Sequence, residues 1–398
     1  MTPAKPASGV IYVRQAFAVG GFFALLPAVA GGGALGLPLV IGLAGAAAAG
    51  PWTLRQAVER MSLPLALLAA LAIWTAASSL WSPWPGLTAA KVLATLAFGL
   101  LFSSAVAAPG LARLALAGAF AATLVLIPLL AIEAIWDMPL NAAAQPDASP
   151  EDLNQNPARG VVVMLALLWP GLAWAAGSSM RWRWPAVSAA ALAAGSIALQ
   201  FGQLSTAIGF AIGSIFFALG FAAPRLAVLT PSILLAAWML AAPFLTPILV
   251  ASPALFEAVP HSWAVRIGIW RHTCERILEQ PWIGHGLDAA RATTQYATYD
   301  GELMRVIPVH PHSASLQIWY DLGLVGALTA AILLALTGRA LARAYARNRP
   351  GAAAAAAALA MFGMMANVGW NIWQEWWMAT LILAGALVSA LGAKAATN

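Results

Sequence analysis

Long apolar runs return throughout this chain, and they restrict its fold more than any single motif. One of them, AVLTPSILLAAWMLAAPFLTPILV from Ala227 to Val250, carries no charge at all. A hydrocarbon core needs roughly 20 such residues for each helical crossing. Of the 398 residues 62% are hydrophobic and only 9% charged, far outside the range of a soluble domain. A backbone in lipid must satisfy its own N–H and C=O groups, and these runs are too long and too uniform for barrel strands. The expected fold is an all-α polytopic membrane protein.

The pattern supports about twelve crossings, roughly at 16–31, 33–49, 63–80, 88–107, 111–133, 159–178, 185–201, 203–222, 226–249, 312–337, 351–368 and 375–393. The first two are short and glycine-rich enough to form a re-entrant pair, and the N-terminal run reads as a membrane helix and not as a removed signal peptide. Positive charge concentrates on the cytoplasmic side of membrane proteins. With the N-terminus inside, Lys5, Arg14, Arg55, Arg60, Arg113, Arg181, Arg183, Arg225, Arg339, Arg343, Arg347, Arg349 and Lys394 all fall there. Topology explains this excess better than nucleic-acid binding does. Seven cations remain in or beside outward segments: Lys91, Arg159, Arg266, Arg271, Arg276, Arg291 and Arg305. They call for another role, and anion binding is the natural one.

The chain therefore divides into residues 1–250 with nine crossings and a short acidic outer loop near 137–158, an outer loop domain over 251–311, and residues 312–398 with three more crossings. Within the loop domain Trp263, Ile267, Trp270, Cys274 and Ile277 recur at alternating spacings of four and three. That spacing predicts a helix with one apolar stripe, lying on the membrane or capping the bundle, with Arg266, Thr273 and Gln280 on another face. Trp81, Trp84, Trp136, Trp182 and Trp184 read as interfacial anchors. A single cysteine, Cys274, excludes an intrachain disulfide framework and a multi-cysteine metal site.

Three short stretches are more specific. After an early helix comes SLWSPWPG, Ser79 to Gly86. In the loop, Arg266 and Trp270 lead to a turn with Pro281, Gly284 and Gly286. At the mouth of the tenth crossing stands HSASLQIWYDLGLVGA, in which His312 and Ser313 are followed by Gly323 and Gly326. Together these resemble the O-antigen ligase family of membrane glycosyltransferases, which also includes O-antigen polymerases and protein O-oligosaccharyltransferases. The resemblance implies a GT-C-like helical fold in the bacterial inner membrane, with its active site facing the periplasm. It implies an O-antigen ligase that moves a glycan, without metal or cofactor, from an undecaprenyl diphosphate carrier to a sugar hydroxyl of lipid A-core. The family's histidine matches His312, and arginines of its outer segments hold the diphosphate.

Elementary chemistry fits this expectation. A sugar hydroxyl is a weak nucleophile, and a neutral imidazole can accept its proton. The departing diphosphate gains negative charge and needs a cation, and no carboxylate cluster suited to a divalent metal precedes the histidine motif. Guanidinium groups stay charged and make paired hydrogen bonds to phosphate oxygens. Arg266 is the first candidate, followed by Arg159 and Lys91. Their alternative roles are a headgroup contact, a paired charge at a helix start and a snorkelling lysine. His310, Ser313 and Gln317 could touch the acceptor or shape the site, with Gln317 and Asp321 also suited to helix–helix hydrogen bonds. His261, His272 and His285 read as structural, Asn154 and Asn156 as caps of the sixth crossing, Arg271–Glu275 and Arg276–Glu279 as surface pairs, and Gly323 and Gly326 as close helix packing.

One departure stands out. Many family members carry an arginine at the outer start of the eighth helix, where this chain has Ser205 in FGQLSTAIGF. A polymerase of the same family is the nearest rival reading. A secondary transporter is a more distant one, but its polar groups would gather near the membrane midplane instead of at outer helix ends.

Overall fold

The computed structural model describes residues 9–49, 62–108, 110–179, 181–201, 203–252, 254 and 258–395. Lys5, Arg55 and Arg60, assigned above to the cytoplasmic side, lie outside these residues, as does the side chain of Lys394. Among the described residues fourteen α-helices follow one another: α1 (Gly9–Gly31), α2 (Leu37–Ala48), α3 (Leu63–Ser78), α4 (Thr88–Val106), α5 (Ala112–Ile135), α6 (Pro139–Ala144), α7 (Pro150–Ala176), α8 (Arg183–Ala198), α9 (Leu204–Ala222), α10 (Pro224–Leu249), α11 (His261–Glu279), α12 (Ala314–Ala344), α13 (Arg349–Val368) and α14 (Glu375–Ala395). A two-stranded antiparallel hairpin, β1 (Tyr296–Tyr299) with β2 (Glu302–Arg305), sits between α11 and α12.

Each expected crossing corresponds to one helix, and among the described residues nine helices are long and apolar enough to span a bilayer. The other three are short. α2 has 12 residues, about 18 Å at 1.5 Å per residue, against a hydrocarbon core of roughly 30 Å. It packs on α1 and α4. The helices α3 and α8 have 16 residues each.

Packing sets which helices face lipid. α7 is buried on all sides from Gly160 to Ala173, and such an all-round apolar stretch belongs at the centre of the bundle. Its Trp169 stacks with Phe210 of α9 at 5.6 Å. In α13 the run Ala352–Ala357 is wholly buried, because side chains this small allow helices to approach closely. A second apolar cluster joins α10 and α12 to the outer segment through Met239, Ile269, Ile307, Leu316 and Leu322.

Contacts between helix ends gather the motifs at one end of the bundle. Trp81 after α3 donates to Gly284 O at 3.2 Å, Lys91 at the start of α4 meets Glu375 of α14 at 2.9 Å, and His312 before α12 meets Gly369 after α13. At the opposite end Tyr12 donates to Gly110 O, Asn348 to Leu391 O and Arg14 to Ala49 O.

Two expectations about helix ends change. Asn154 and Asn156 do not cap the sixth crossing, because α7 begins nine residues before Arg159, with Ser149 as its cap and Pro150 in its first turn. Proline there sacrifices no hydrogen bond, and Glu151 and Asp152 suit the positive end of the helix. Gly323 and Gly326 are not a simple packing groove. Gly323 breaks α12 with φ 64 and ψ −163, a conformation open to glycine and strained for any other residue.

Candidate functional site

The break in α12 is what fastens the segment between α10 and α12. It deprives the carbonyls of residues 320 to 322 of their helical partners, and a buried carbonyl needs a replacement. Tyr320 O accepts from His285 N at 2.7 Å, Asp321 O from Gly286 N at 2.9 Å and Leu322 O from Trp74 Nε1 at 3.0 Å. In return Leu324 N donates to Pro281 O at 2.8 Å and Val325 N to Trp282 O at 3.3 Å. The turn from Pro281 to Gly286 therefore sits in the gap of the broken helix. A β-carbon on Gly323 would come within 2.4 Å of the Trp282 backbone, and one on Gly284 within 2.5 Å of Asp321 C. SLWSPWPG closes the same junction, with Trp81 on Gly284 O and Ser82 Oγ donating to Leu287 O at 2.7 Å. Trp81 is thus a structural donor and not a free interfacial anchor, whereas Trp84, Trp136, Trp182 and Trp184 are exposed. The three stretches that carried the family resemblance form one junction.

Immediately before the first half of α12, the chain turns through His310, Pro311 and His312. His312 adopts a left-handed backbone at φ 54, one of the few non-glycine residues to do so. Its N–H donates to His310 Nδ1 at 3.1 Å, and the two rings lie 4.2 Å apart. Trp270 of α11 donates to Pro311 O at 2.8 Å. Ser313 caps α12 by accepting from Leu316 N. His310 and Ser313 are thereby committed to the turn and the cap.

The α13–α14 turn faces this histidine and was not singled out in the sequence. Gly369 O accepts from His312 Nδ1 at 2.9 Å, and Asn367 Oδ1 accepts from Ser315 N at 3.2 Å. Gln317 and Asn371 clasp one another: Gln317 Nε2 donates to Asn371 Oδ1 at 2.8 Å, and Gln317 Oε1 accepts from Ile372 N at 3.1 Å. Asp321 accepts from Trp373 Nε1 at 2.6 Å. Both polar residues within α12 thus bond across to the turn, as suits buried polar groups. NVGWNIWQEWW, Asn367 to Trp377, holds its asparagines between two apolar runs, and that placement is the signal that could have revealed it.

A carbonyl partner fixes the histidine tautomer. Nδ1 must carry the proton it gives Gly369 O, so Nε2 of neutral His312 keeps its lone pair. Burial and the nearby Arg266 charge push the His312 pKa down to about 4, opposed by the Gly369 bond. His310 is held well below its ordinary range by burial, with His312, Arg291 and Arg266 adding to the effect. Both rings are therefore neutral near pH 7.

The candidate cations differ in how far they are engaged. Arg266 lies half-buried over the Trp263 ring at 5.9 Å, its buried Nε without a partner and its charge disfavoured by burial. Arg159 is held through Gln155 Oε1 at 2.7 Å and Asn156 Oδ1 at 3.3 Å, and lies 6.0 Å from the Trp376 ring, again with Nε unpartnered. Trp376 packs edge-on to Trp370 at 4.9 Å, so this indole pair stands between Arg159 and the Gly369 turn. Lys91 is bound to Glu375. Arg291 pairs with Asp288 at 2.7 Å, Arg276 with Glu279 at 2.9 Å, and Arg305 donates to Arg291 O at 3.3 Å. Arg271 does not pair with Glu275, because it donates to Val250 O and ties α11 to the end of α10. Among the described residues, Arg266 and Arg159 are the outer-segment cations with an unpartnered buried nitrogen.

The remaining positions around the site follow from packing. The predicted stripe of α11 is buried at Ile267, Cys274 and Ile277, but Ile269 and Thr273 on the other face are buried as well. α11 therefore caps the bundle between α10 and α12 and does not float on a membrane surface. His261 bridges Asp300 and Glu302, His272 meets the Tyr299 hydroxyl at 2.8 Å, and His285 stacks on Tyr320 at 4.6 Å. Ser205 is buried at the start of α9, about 4.0 Å from where a Gly369 β-carbon would stand. The position that differs from the family pattern thus adjoins the carbonyl that holds His312. Among the described residues no group of three or more His, Cys, Asp and Glu could hold a metal ion.

Residues 158–331 match the family model described as O-antigen ligase. Candidate polysaccharide ligases of three Rickettsia species are similar over stretches of 126 to 188 residues. The R. conorii protein is 28% identical over 34% of each chain, that of R. bellii 30% identical over 30% of each, and that of R. typhi 27% identical over 44% of each. The chain thus aligns with about a third to under half the length of these relatives. The matched region runs from the central helix α7 across α11 and the broken half of α12.

Proposed function

Since residues 158–331 match the O-antigen ligase family model, we propose that this chain transfers a glycan from an undecaprenyl diphosphate carrier to a sugar hydroxyl of lipid A-core. The reaction would take place at the periplasmic face of the bacterial inner membrane, with the carrier and lipid A-core reaching His312 from the surrounding membrane lipids. The observation that carries this reading is the neutral His312, fixed with Nε2 as its free acceptor beside Arg266, whose Nε lacks a partner. His312 Nε2 takes the proton of the acceptor hydroxyl as its oxygen attacks the anomeric carbon. The bond from that carbon to the diphosphate breaks, the leaving group departs with the electron pair, and its charge is met by Arg266. A single in-line displacement inverts the anomeric centre.

Arg159 is the second cation in this scheme, since its Nε is unpartnered, and it supplies part of what the family arginine at the Ser205 position would give. Lys91 contributes less, because Glu375 already neutralises it. The low pKa of His312 belongs to a site without donor. A bound diphosphate offsets Arg266, which raises the basicity of His312 when the base is needed.

A strain lacking this chain, analysed for its glycolipids and complemented with the intact protein, tests the reading. Full-length polymer left on the carrier beside bare lipid A-core is the expected result. Single repeats attached to the core would instead make the protein a polymerase, and unchanged glycolipids would overturn transfer altogether.

A further inference from the structure

A cavity of about 220 Å³ opens beside the junction of motifs, away from the His310–His312 turn. Trp81 and His285 form walls, Tyr320 the buried floor, and Arg276, Gln280 and Thr293 the polar rim. It lies farther along the two helices that bear on the histidine. Six residues of α12, or about 9 Å, separate Ala314 from Tyr320, and ten residues of α11, or about 15 Å, separate Arg266 from Arg276. No step of the proposed transfer uses it.

Its chemistry selects a class of ligand. Aromatic side chains at the wall and floor offer an apolar surface, and the edges carry groups that both donate and accept, the Gln280 amide and the Thr293 hydroxyl. His285 Nε2 is spent on Arg276 O at 2.8 Å, which leaves Nδ1 as the acceptor of that ring. The one cation, Arg276, is paired with Glu279 at 2.9 Å, so the crevice offers an anion little uncompensated charge. Mixed donors and acceptors around an aromatic wall suit a ring with an apolar face and a hydroxylated rim. The volume is below the roughly 300–1,000 Å³ of drug-sized sites and fits one such ring instead of a chain.

We propose that this crevice is a saccharide subsite that holds one sugar unit of a glycan substrate at a distance from the bond that reacts. It rests on the glycan-transfer reading for its role, though its binding of sugar does not. The rigid attachment of Trp81 and His285 to the α12 junction keeps the subsite at a fixed distance from His312. The protein would thereby favour glycans long enough to reach both positions.

Thr293→Trp fills the crevice and Gln280→Ala removes part of its rim, and neither residue belongs to the transfer machinery. Polyprenyl diphosphate donors bearing one sugar and four sugars are compared with the full-length protein in lipid nanodiscs, and core acceptors are shortened in parallel. In Thr293→Trp, KM for the four-sugar donor should rise about tenfold with kcat unchanged, while the one-sugar donor is unaffected. A KM change confined to the longer acceptor supports the same subsite with the core as its source. Equal KM values in variant and parent for all lengths overturn it. Saturation-transfer NMR with methyl glycosides of glucose, galactose and rhamnose decides binding even where no donor is turned over. Signals should persist in His312→Ala and vanish in Thr293→Trp. Absence of signal for every glycoside in the parent protein, or loss of the signal on adding inorganic phosphate, overturns a sugar site, the latter in favour of an anion site.

Discussion

Two neighbouring polar regions treat their hydrogen-bonding groups differently. Around the base of His312, Gly369, Asn367, Gln317 and Asn371 meet partners on opposite segments. At the edge of that framework the Nε atoms of Arg159 and Arg266, and the indole N–H groups of Trp370 and Trp376, are buried without acceptors. An unmet buried donor is costly unless something else uses it. The satisfied region holds geometry, and the unsatisfied one is where the proposed anionic or hydroxylated substrate would gain most.

His312→Ala should lower transfer by about 10²–10⁴-fold while protein level and membrane insertion stay normal, measured on lipid-linked donor in membranes. Normal transfer by that variant would erase the distinction between framework and working edge. Arg266→Gln should cost about 10²–10³-fold, expressed more in donor than in acceptor kinetics. It has a second signature. Removing the positive charge lifts the His312 pKa from its low value, so the acid limb of kcat/KM should move to higher pH. An acid limb that stays in place would mean that the two side chains do not sense one another.

Gly323→Ala attacks the framework instead. Its left-handed strain costs about 1–3 kcal/mol before the clash with Trp282 is counted, and thermal unfolding of the purified protein should reveal the loss. The mildest change is Lys91→Ala. Breaking a pair so exposed should cost at most about 1 kcal/mol of stability and less than tenfold in transfer. A collapse of activity would move Lys91 into the working edge.

Much of this arrangement could be read from the residues, and what could not has physical causes. Twelve helices were legible because a lipid-spanning segment writes its length into the sequence, as Ala227–Val250 does. His312 and the glycines of the junction were legible by resemblance. The role of Gly323 was not, since a glycine within an apolar run looks the same whether it permits packing or a break. Asn367, Gly369 and Asn371 escaped notice because their partners lie more than 50 residues away in sequence. Arg271 was assigned to Glu275 by helical spacing, but a carbonyl at the end of α10 offered a less exposed partner. The start of α7 was placed late because its first turns are polar, and polarity there means a helix standing clear of lipid, not a loop.

The broken helix also bears on how this site can change over time. The helix that begins just after His312 and the segment that carries Arg266 are joined at Gly323 chiefly through main-chain atoms, which every residue possesses. Side chains along the crevice rim, such as Gln280 and Thr293, can therefore vary with little disturbance to the spacing of His312 and Arg266. On the proposed reading, a change of glycan would need a new rim but leave the main-chain joint at Gly323 as it is.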